Sequence, residues 1–199
     1  MNADDLRNEV SRHLREFERL PSSSPLTPAA VAVVVMEDGG RPSVPIFQRT
    51  LGMSRHAGQM ALPGGRLHAR ETAEGCAVRE LHEELGLAVH TNDVLGLLDD
   101  FDTRSGFTIT PVVIWSEATT AALQPSSAEV AGLYPISLSE LRAAAAGAGR
   151  EPSRDFSLRF SSVRVFAPTA AILYQFYEVA LEGRSTRVAD FYQPPFTHR

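Results

Sequence analysis

Lysine is missing from this chain: all 19 basic residues among its 199 are arginine. Arginine suits bidentate phosphate contacts, but a uniform bias in composition explains the absence better than chemistry does, since surface Arg and Lys behave nearly alike by propensity and charge. Acidic residues number 24, giving a formal net charge of -5. That balance speaks against wholesale nucleic-acid binding, which normally needs a basic domain. Cysteine is nearly absent too. The single Cys76 excludes an intrachain disulfide and suits a reducing compartment, so the cytoplasm is the expected location. No apolar run approaches the roughly 20 residues of a membrane span, and the charged N-terminal stretch is unlike a secretory signal.

What is present suffices for one globular domain. Hydrophobic residues make up 43% and charged residues 22% of the chain, enough for a core without disulfides or a structural metal. Leu6, Val10, Leu14 and Phe17 recur at helical spacing, so residues 4–19 read as an amphipathic helix. A Pro/Ser linker follows, and residues 1–25 are set apart from a domain spanning 26–199. Strands are expected at 29–36, 43–49, 94–101, 107–115, 130–136 and 163–166. Helices are expected at 72–85, at 139–146 ended by Gly147 and Gly149, and from Pro168 to residue 181. This loose alternation gives an α+β domain, with helices layered on a mixed sheet.

The chemistry concentrates between Gly65 and Leu87, in the run GRLHARETAEGCAVRELHEELGL. On a helix of 3.6 residues per turn, Glu83 and Glu84 fall one turn beyond Glu80, to either side of it. Val78, Leu81 and Leu85 form an adjoining apolar face. Arg79 lies one turn before Glu83 and can pair with it. Three carboxylates spaced roughly 5–6 Å apart repel by about 3 kcal/mol per pair at an effective dielectric near 20. A divalent cation reverses that cost, and an all-oxygen ligand set suits Mg²⁺ or Mn²⁺. Such an ion neutralises phosphate charge and lowers the pKa of a bound water. A solvated acidic helix face is the plainer alternative.

The wider spacing decides between them, because it resembles the box of the Nudix family: Gly, five residues, Glu, seven residues, then Arg-Glu-aliphatic-x-Glu-Glu-x-Gly-aliphatic. Gly65, Glu71, Arg79, Glu80, Leu81, Glu83, Glu84, Gly86 and Leu87 fill every specified position. Ordinary residue frequencies would produce this on the order of once in 10⁹ starting positions. The resemblance implies a Nudix fold, an α/β/α sandwich with a catalytic loop-helix-loop. It implies metal ligation by Glu80 and Glu84, with Glu83 sharing and the Gly65 carbonyl completing the shell. Arg79 would orient the carboxylates and Glu71 would brace Arg79. Glu83 is the first candidate for general base, and Glu129 sits where relatives offer another ligand or base.

Upstream, the stretch FQRTLGMSRHAGQMALPGG is similar to the motif of the coenzyme A diphosphatase branch. Arg49, Thr50, Gly58, Leu62, Pro63, Gly64 and Gly65 match or nearly match it; Ser54, beside Arg55, stands at its basic position. Segments 102–107, 110–113 and 168–171 are also similar to that branch, which implies a CoA-like small-molecule diphosphate as substrate. Arg49, Arg55, Arg104 and His56 are then the candidate phosphate-binding residues. The alternatives are ADP-ribose, a dinucleotide or a nucleoside triphosphate as substrate, or a Nudix-fold binding module without catalysis. Such a module would be expected to lose box glutamates, and none is lost. His13, His68, His82, His90 and His198 show no metal-ligand spacing. Cys76, one turn before Glu80, reads as a small buried residue rather than a nucleophile. The apolar stripe of the N-terminal helix leaves packing on its own domain or a homodimer equally open.

Overall fold

The strand predicted at residues 29–36 is a continuous run of small and β-branched residues, as expected of a strand covered on both faces. In the computed structural model, which describes residues 2–52, 56–148 and 156–194, this run lies at the centre of the sheet. Strand β1 (Thr27–Asp38) runs parallel to β7 (Phe107–Thr119) over nearly its whole length. Successive side chains point to opposite faces. Val33 and Val35 enter one core, with Leu98, Val113 and Trp115; Ala30, Ala32, Val34 and Met36 enter the other, with Val112 and Ile114.

Each core is closed by helices. On one face lie α1 (Ala3–Glu16), α3 (Leu138–Ala148) and α4 (Thr169–Gln175), the last continued by a π-helical turn, Phe176–Leu181. The opposite face is covered by α2 (Ala73–Leu85), through Cys76, Ala77, Leu81 and Leu85. The result is the expected α/β/α sandwich. Leu6, Val10, Leu14 and Phe17 of the N-terminal segment belong to the first core, so the apolar stripe of α1 is covered by its own chain. Among the described residues, no helix is long and apolar enough to cross a membrane.

The sheet contains one device that places the site. Strand β2 (Arg41–Arg49) pairs with β1 only beside the turn, through Met36 with Ser43, Glu37 with Pro42 and Asp38 with Arg41. Beyond those pairs the hairpin opens into a fork. Between its arms sit β3 (Met60–Ala61), paired to β2, and β4 (Gly64–Arg66), paired to β1. The Ala32 amide donates to the Pro63 carbonyl at 2.7 Å, closing the junction. The Gly64-Gly65 segment is thereby held inside the sheet, facing α2. On its outer edge β2 pairs with β8 (Val130–Ser137).

Several boundaries differ from the sequence reading. The strand expected at 94–101 is two, β5 (Val94–Leu97) and β6 (Phe101–Asp102), each pairing with β7. Between them Asp99 and Asp100 turn inward to accept hydrogen bonds from Leu20, Ser22, Thr110, Gln175 and Arg187, a demand that a regular ladder would not meet. Gly147 does not end α3, which runs through it to Ala148; Gly149 lies outside the described residues. The last helix widens into its π-helical turn rather than staying regular to residue 181. Strand β10 (Arg164–Phe166) was expected, but its partner β9 (Ser157–Arg159) was not. Like β3 and β4, it is too short to leave a periodic pattern.

Candidate active site

Helix α2 starts at an N-cap, Thr72, whose hydroxyl accepts from the Gly75 amide at 3.1 Å, and ends at Gly86 in the left-handed region at φ 67°. It packs its apolar face on the sheet, which aims Glu80 and Glu84 at the Gly64-Gly65 segment. Glu84 is 2% exposed and accepts from the Gly64 amide at 2.9 Å. Arg49, at the end of β2, approaches its other oxygen at 3.5 Å. Burial pushes the Glu84 carboxyl up to about 7; Arg49 and the Gly64 amide oppose this, while the charges of Glu80 and Glu129 add to it.

Glu80 lies against Gly65 itself. A Cβ on Gly65 would stand 2.1 Å from Glu80 Oε1, so the position needs glycine for lack of room. Arg79 organises the remaining acids: it donates to Glu71 at 2.9 and 3.0 Å, to Glu80 at 2.7 Å and to Glu83 at 3.0 Å. A further donation to the Arg66 carbonyl at 3.2 Å ties it to β4. Its partnership with Arg79 holds the Glu71 carboxyl down at about 2. Glu71 also accepts from the His68 amide at 2.8 Å, which closes the loop ahead of the helix.

A cavity of about 750 Å³ opens over this cluster. Its lining includes Arg49, His56, Gly64, Gly65, Glu80, Glu84 and Glu129, the apolar side chains of Val31, Met60, Leu62, Phe107, Ile109, Phe166 and Ile172, and the polar residues Arg66, Thr103, Ser105, Arg164 and Gln193. Glu129 reaches it because the loop before β8 docks on the end of α2: the Gln124 and Ser126 amides donate to the Leu85 and Glu84 carbonyls, each at 2.8 Å. The Thr50 amide binds the Glu129 carbonyl at 3.0 Å. His56 has φ 57°, in the left-handed region that histidine, like asparagine and aspartate, enters more often than other side chains do.

The sequence candidates therefore separate. Glu80, Glu84, Glu129, Gly65, Arg49 and His56 converge on the cavity, with Glu71 and Arg79 behind it. Glu83 does not line the cavity; its side chain is 54% exposed and bound to Arg79. The structure does not bring Arg104 in either: its guanidinium stacks on Tyr192, 5.2 Å from the ring centre. Arg55 lies outside the described residues. Of the wall formed by Arg164, Phe166 and Ile172, the sequence reading marks only the neighbouring segment 168–171, and it assigns none of these residues to the site.

Two observations bear on a divalent cation. The Gly65 cradle leaves the Glu80 carboxylate room that a methyl group would fill. Glu84, buried beside it, has only a 3.5 Å contact to Arg49 as its ion pair among the described residues, and a desolvated carboxylate needs compensation. Among those residues no three His, Cys, Asp or Glu side chains form a ready cluster, since Arg79 draws Glu80 and Glu83 towards itself. Oxygen donors from two carboxylates and a carbonyl, with phosphate and water completing the shell, suit Mg²⁺ or Mn²⁺. The residues fit such an ion.

Comparison with known proteins agrees with this geometry. The model of the NUDIX domain matches residues 26–160. Nudix hydrolase 3 of Caenorhabditis elegans is 31% identical over 140 residues, 68% of this chain and 58% of that protein, so the chain spans little more than half its length. The uncharacterized Nudix hydrolase NudL of Citrobacter koseri is 33% identical over 145 residues, 69% of either chain. Among solved structures, a MutT/nudix family protein from Enterococcus faecalis superposes with a TM-score of 0.56 over 94% of this chain and 78% of its own, at 15% identity, a likeness of fold alone. With every box position filled and the matched segment covering most of its length, the chain belongs to the Nudix family of hydrolases.

Proposed function

We propose that this protein hydrolyses the diphosphate of coenzyme A or an acyl-CoA, yielding 4′-phosphopantetheine, or its acyl form, and adenosine 3′,5′-bisphosphate. The observation that carries the reading is the composition of the cavity. The carboxylates Glu80, Glu84 and Glu129, able to hold metal and diphosphate, share the cavity with the apolar side chains of Val31, Met60, Leu62, Phe107, Ile109, Phe166 and Ile172, and with polar ones that include Arg66 and Arg164. A nucleoside triphosphate has no apolar arm to place there; a pantetheine chain, with or without an acyl group, does. The upstream likeness to the coenzyme A diphosphatase motif supports the same choice.

In this reading Glu80 and Glu84 hold Mg²⁺ or Mn²⁺ with the Gly65 carbonyl. When bound, the ion withdraws charge from the diphosphate and acidifies a water. Arg79 fixes the Glu80 carboxylate, and Glu71 fixes Arg79, so that little reorganisation is left for the moment of reaction. Glu129 lines the cavity and is the better-placed base; Glu83, turned to solvent and bound to Arg79, supports the cluster from outside. Arg49 offers charge both to Glu84 and to a phosphate oxygen.

The second reading keeps the chemistry and changes the substrate to ADP-ribose or a dinucleotide. Ser54 at the motif's basic position favours it. Incubating the purified protein with CoA, acetyl-CoA, 3′-dephospho-CoA, ADP-ribose and NADH, with Mg²⁺ or Mn²⁺, separates the two by product mass. Adenosine 3′,5′-bisphosphate from CoA, with slow cleavage of the dephospho form, is the result this proposal requires. Turnover of ADP-ribose or NADH alone would overturn it.

A further inference from the structure

Two of the arginines first considered for phosphate binding have partners within the protein. Arg49 sits 3.5 Å from Glu84 and 5.6 Å from the Phe47 ring centre, and Arg104 lies 5.2 Å from the Tyr192 ring centre and does not line the cavity. The cavity holds two further arginines that no motif marks. Arg66 follows Gly65 on β4, and its guanidinium lies 4.9 Å from the centre of the Phe107 ring. Arg164 opens β10 and lies 4.8 Å from the Phe166 ring centre. Both arginines and both rings line the same chamber. Neither arginine forms an ion pair with any carboxylate among the described residues, whereas Arg49, Arg79, Arg184 and Arg187 all do. In a chain with 24 acidic residues against 19 basic ones, two cations lining one cavity without an acidic partner among the described residues leave positive charge for a ligand.

The stacking also prepares them. A guanidinium drawn to an aromatic ring has fewer orientations open to it, and its planar set of N–H groups matches the paired oxygens of a phosphate. Arg164 gives its Nε to Ser157 Oγ at 2.9 Å, which orients the plane further. We propose that Arg66 and Arg164 form a second anion subsite, which takes a phosphate monoester carried by the substrate outside its diphosphate. Which phosphate that is rests on the reading above: in CoA it is the ribose 3′-phosphate. Arg164, Phe166 and Ile172 all follow the segment matched by the family model, residues 26–160. This wall therefore adds substrate choice to a reaction centre that the family box already supplies.

Calorimetric titration of the full chain with adenosine 3′,5′-bisphosphate and with 5′-AMP tests the subsite without requiring turnover. The wild type should favour the bisphosphate about tenfold or more, as charge-assisted hydrogen bonds to one phosphate allow. In R66Q/R164Q that preference should fall close to one, and in R66K/R164K it should recover only in part, because lysine keeps the charge without the fork. Both arginines are exposed, so melting temperatures should stay within a few degrees of wild type; should the double variant fail to fold, R66Q and R164Q alone report the same ratio. A wild type indifferent to the 3′-phosphate, or a double variant that keeps its preference, overturns the proposal. Failure of the coenzyme A reading looks different: CoA is not cleaved, while the binding preference and its loss in R66Q/R164Q persist.

Discussion

Gly65 and Glu80 meet so closely that one methyl group on the glycine would overlap the carboxylate, at 2.1 Å from Oε1. The obstructed atoms belong to the end of a flexible side chain, so Gly65→Ala should fold with a melting temperature within a few degrees of wild type. It should nevertheless lose activity by about 10²-fold, because small misplacements of a reacting group are costly. Gly64→Ala should behave in the opposite way. There a Cβ would stand 2.4 Å from the Ala30 carbonyl oxygen and 2.8 Å from Val31 Cα, and backbone cannot step aside, so a loss of about 3 kcal/mol is expected. Paired urea unfolding and initial rates separate the two; equal stability loss in both would refute the distinction.

Glu84→Gln retains the shape and the acceptor for the Gly64 amide while removing the charge. Activity should drop by about 10³-fold, some 4 kcal/mol of transition-state stabilisation. In EDTA-treated protein the variant should be at least as stable as wild type, because a carboxylate 2% exposed is replaced by a neutral amide. A variant both inactive and severely destabilised would point to a structural role instead.

The Glu71–Arg79 pair should show its contribution in the pH dependence of stability. Arg79 holds the Glu71 carboxyl down at about 2, below the ordinary value of 4.5. A lowered folded-state pKa means that the stabilisation is complete above the unfolded value and fades as pH falls towards about 2. Glu71→Gln should therefore cost about 1–3 kcal/mol at pH 7 and much less near pH 3. Urea titrations of both proteins at the two pH values measure this, and a pH-independent difference would contradict it.

Asp99 joins four parts of the chain. It accepts from the Leu20 amide at 2.7 Å, from Gln175 Nε2 at 2.7 Å and from Arg187 Nη1 at 2.9 and 3.0 Å. Asp99→Ala would strand these donors, with a stability loss of about 2–4 kcal/mol expected. Chemical denaturation checks the figure, and a near-neutral effect would mean that water replaces the carboxylate.

Cys76 is fully buried, and burial pushes its thiol up to about 11. The native protein should therefore resist iodoacetamide at pH 8 and react only once unfolded. Cys76→Ala should keep activity within a few-fold; loss beyond about 10²-fold would reopen a chemical role for the thiol.

How much of this was legible beforehand follows from the range of each interaction. The box could be read because Glu80, Glu83, Glu84 and Arg79 interact within one turn of one helix, where spacing alone sets proximity. The two-faced character of β1 was legible for the same reason, since a strand buried on both sides must be apolar throughout. Spacing treated Glu83 and Glu84 alike, however. Packing of α2 on the sheet buried Glu84 to 2% exposure and left the Glu83 side chain 54% exposed, and that distinction depends on which face meets the fork between β1 and β2. Glu129 reached the cavity because its loop docks on the end of α2, a contact between segments some 40 residues apart. Arginines illustrate the limit most clearly: the sequence by itself determined that cations lay near the box, but only the tertiary structure decided that Arg104 stacks outside the cavity and that Arg66 and Arg164 line it. A guanidinium's availability depends on whether a carboxylate or a ring from elsewhere in the chain reaches it first, and no local pattern encodes that.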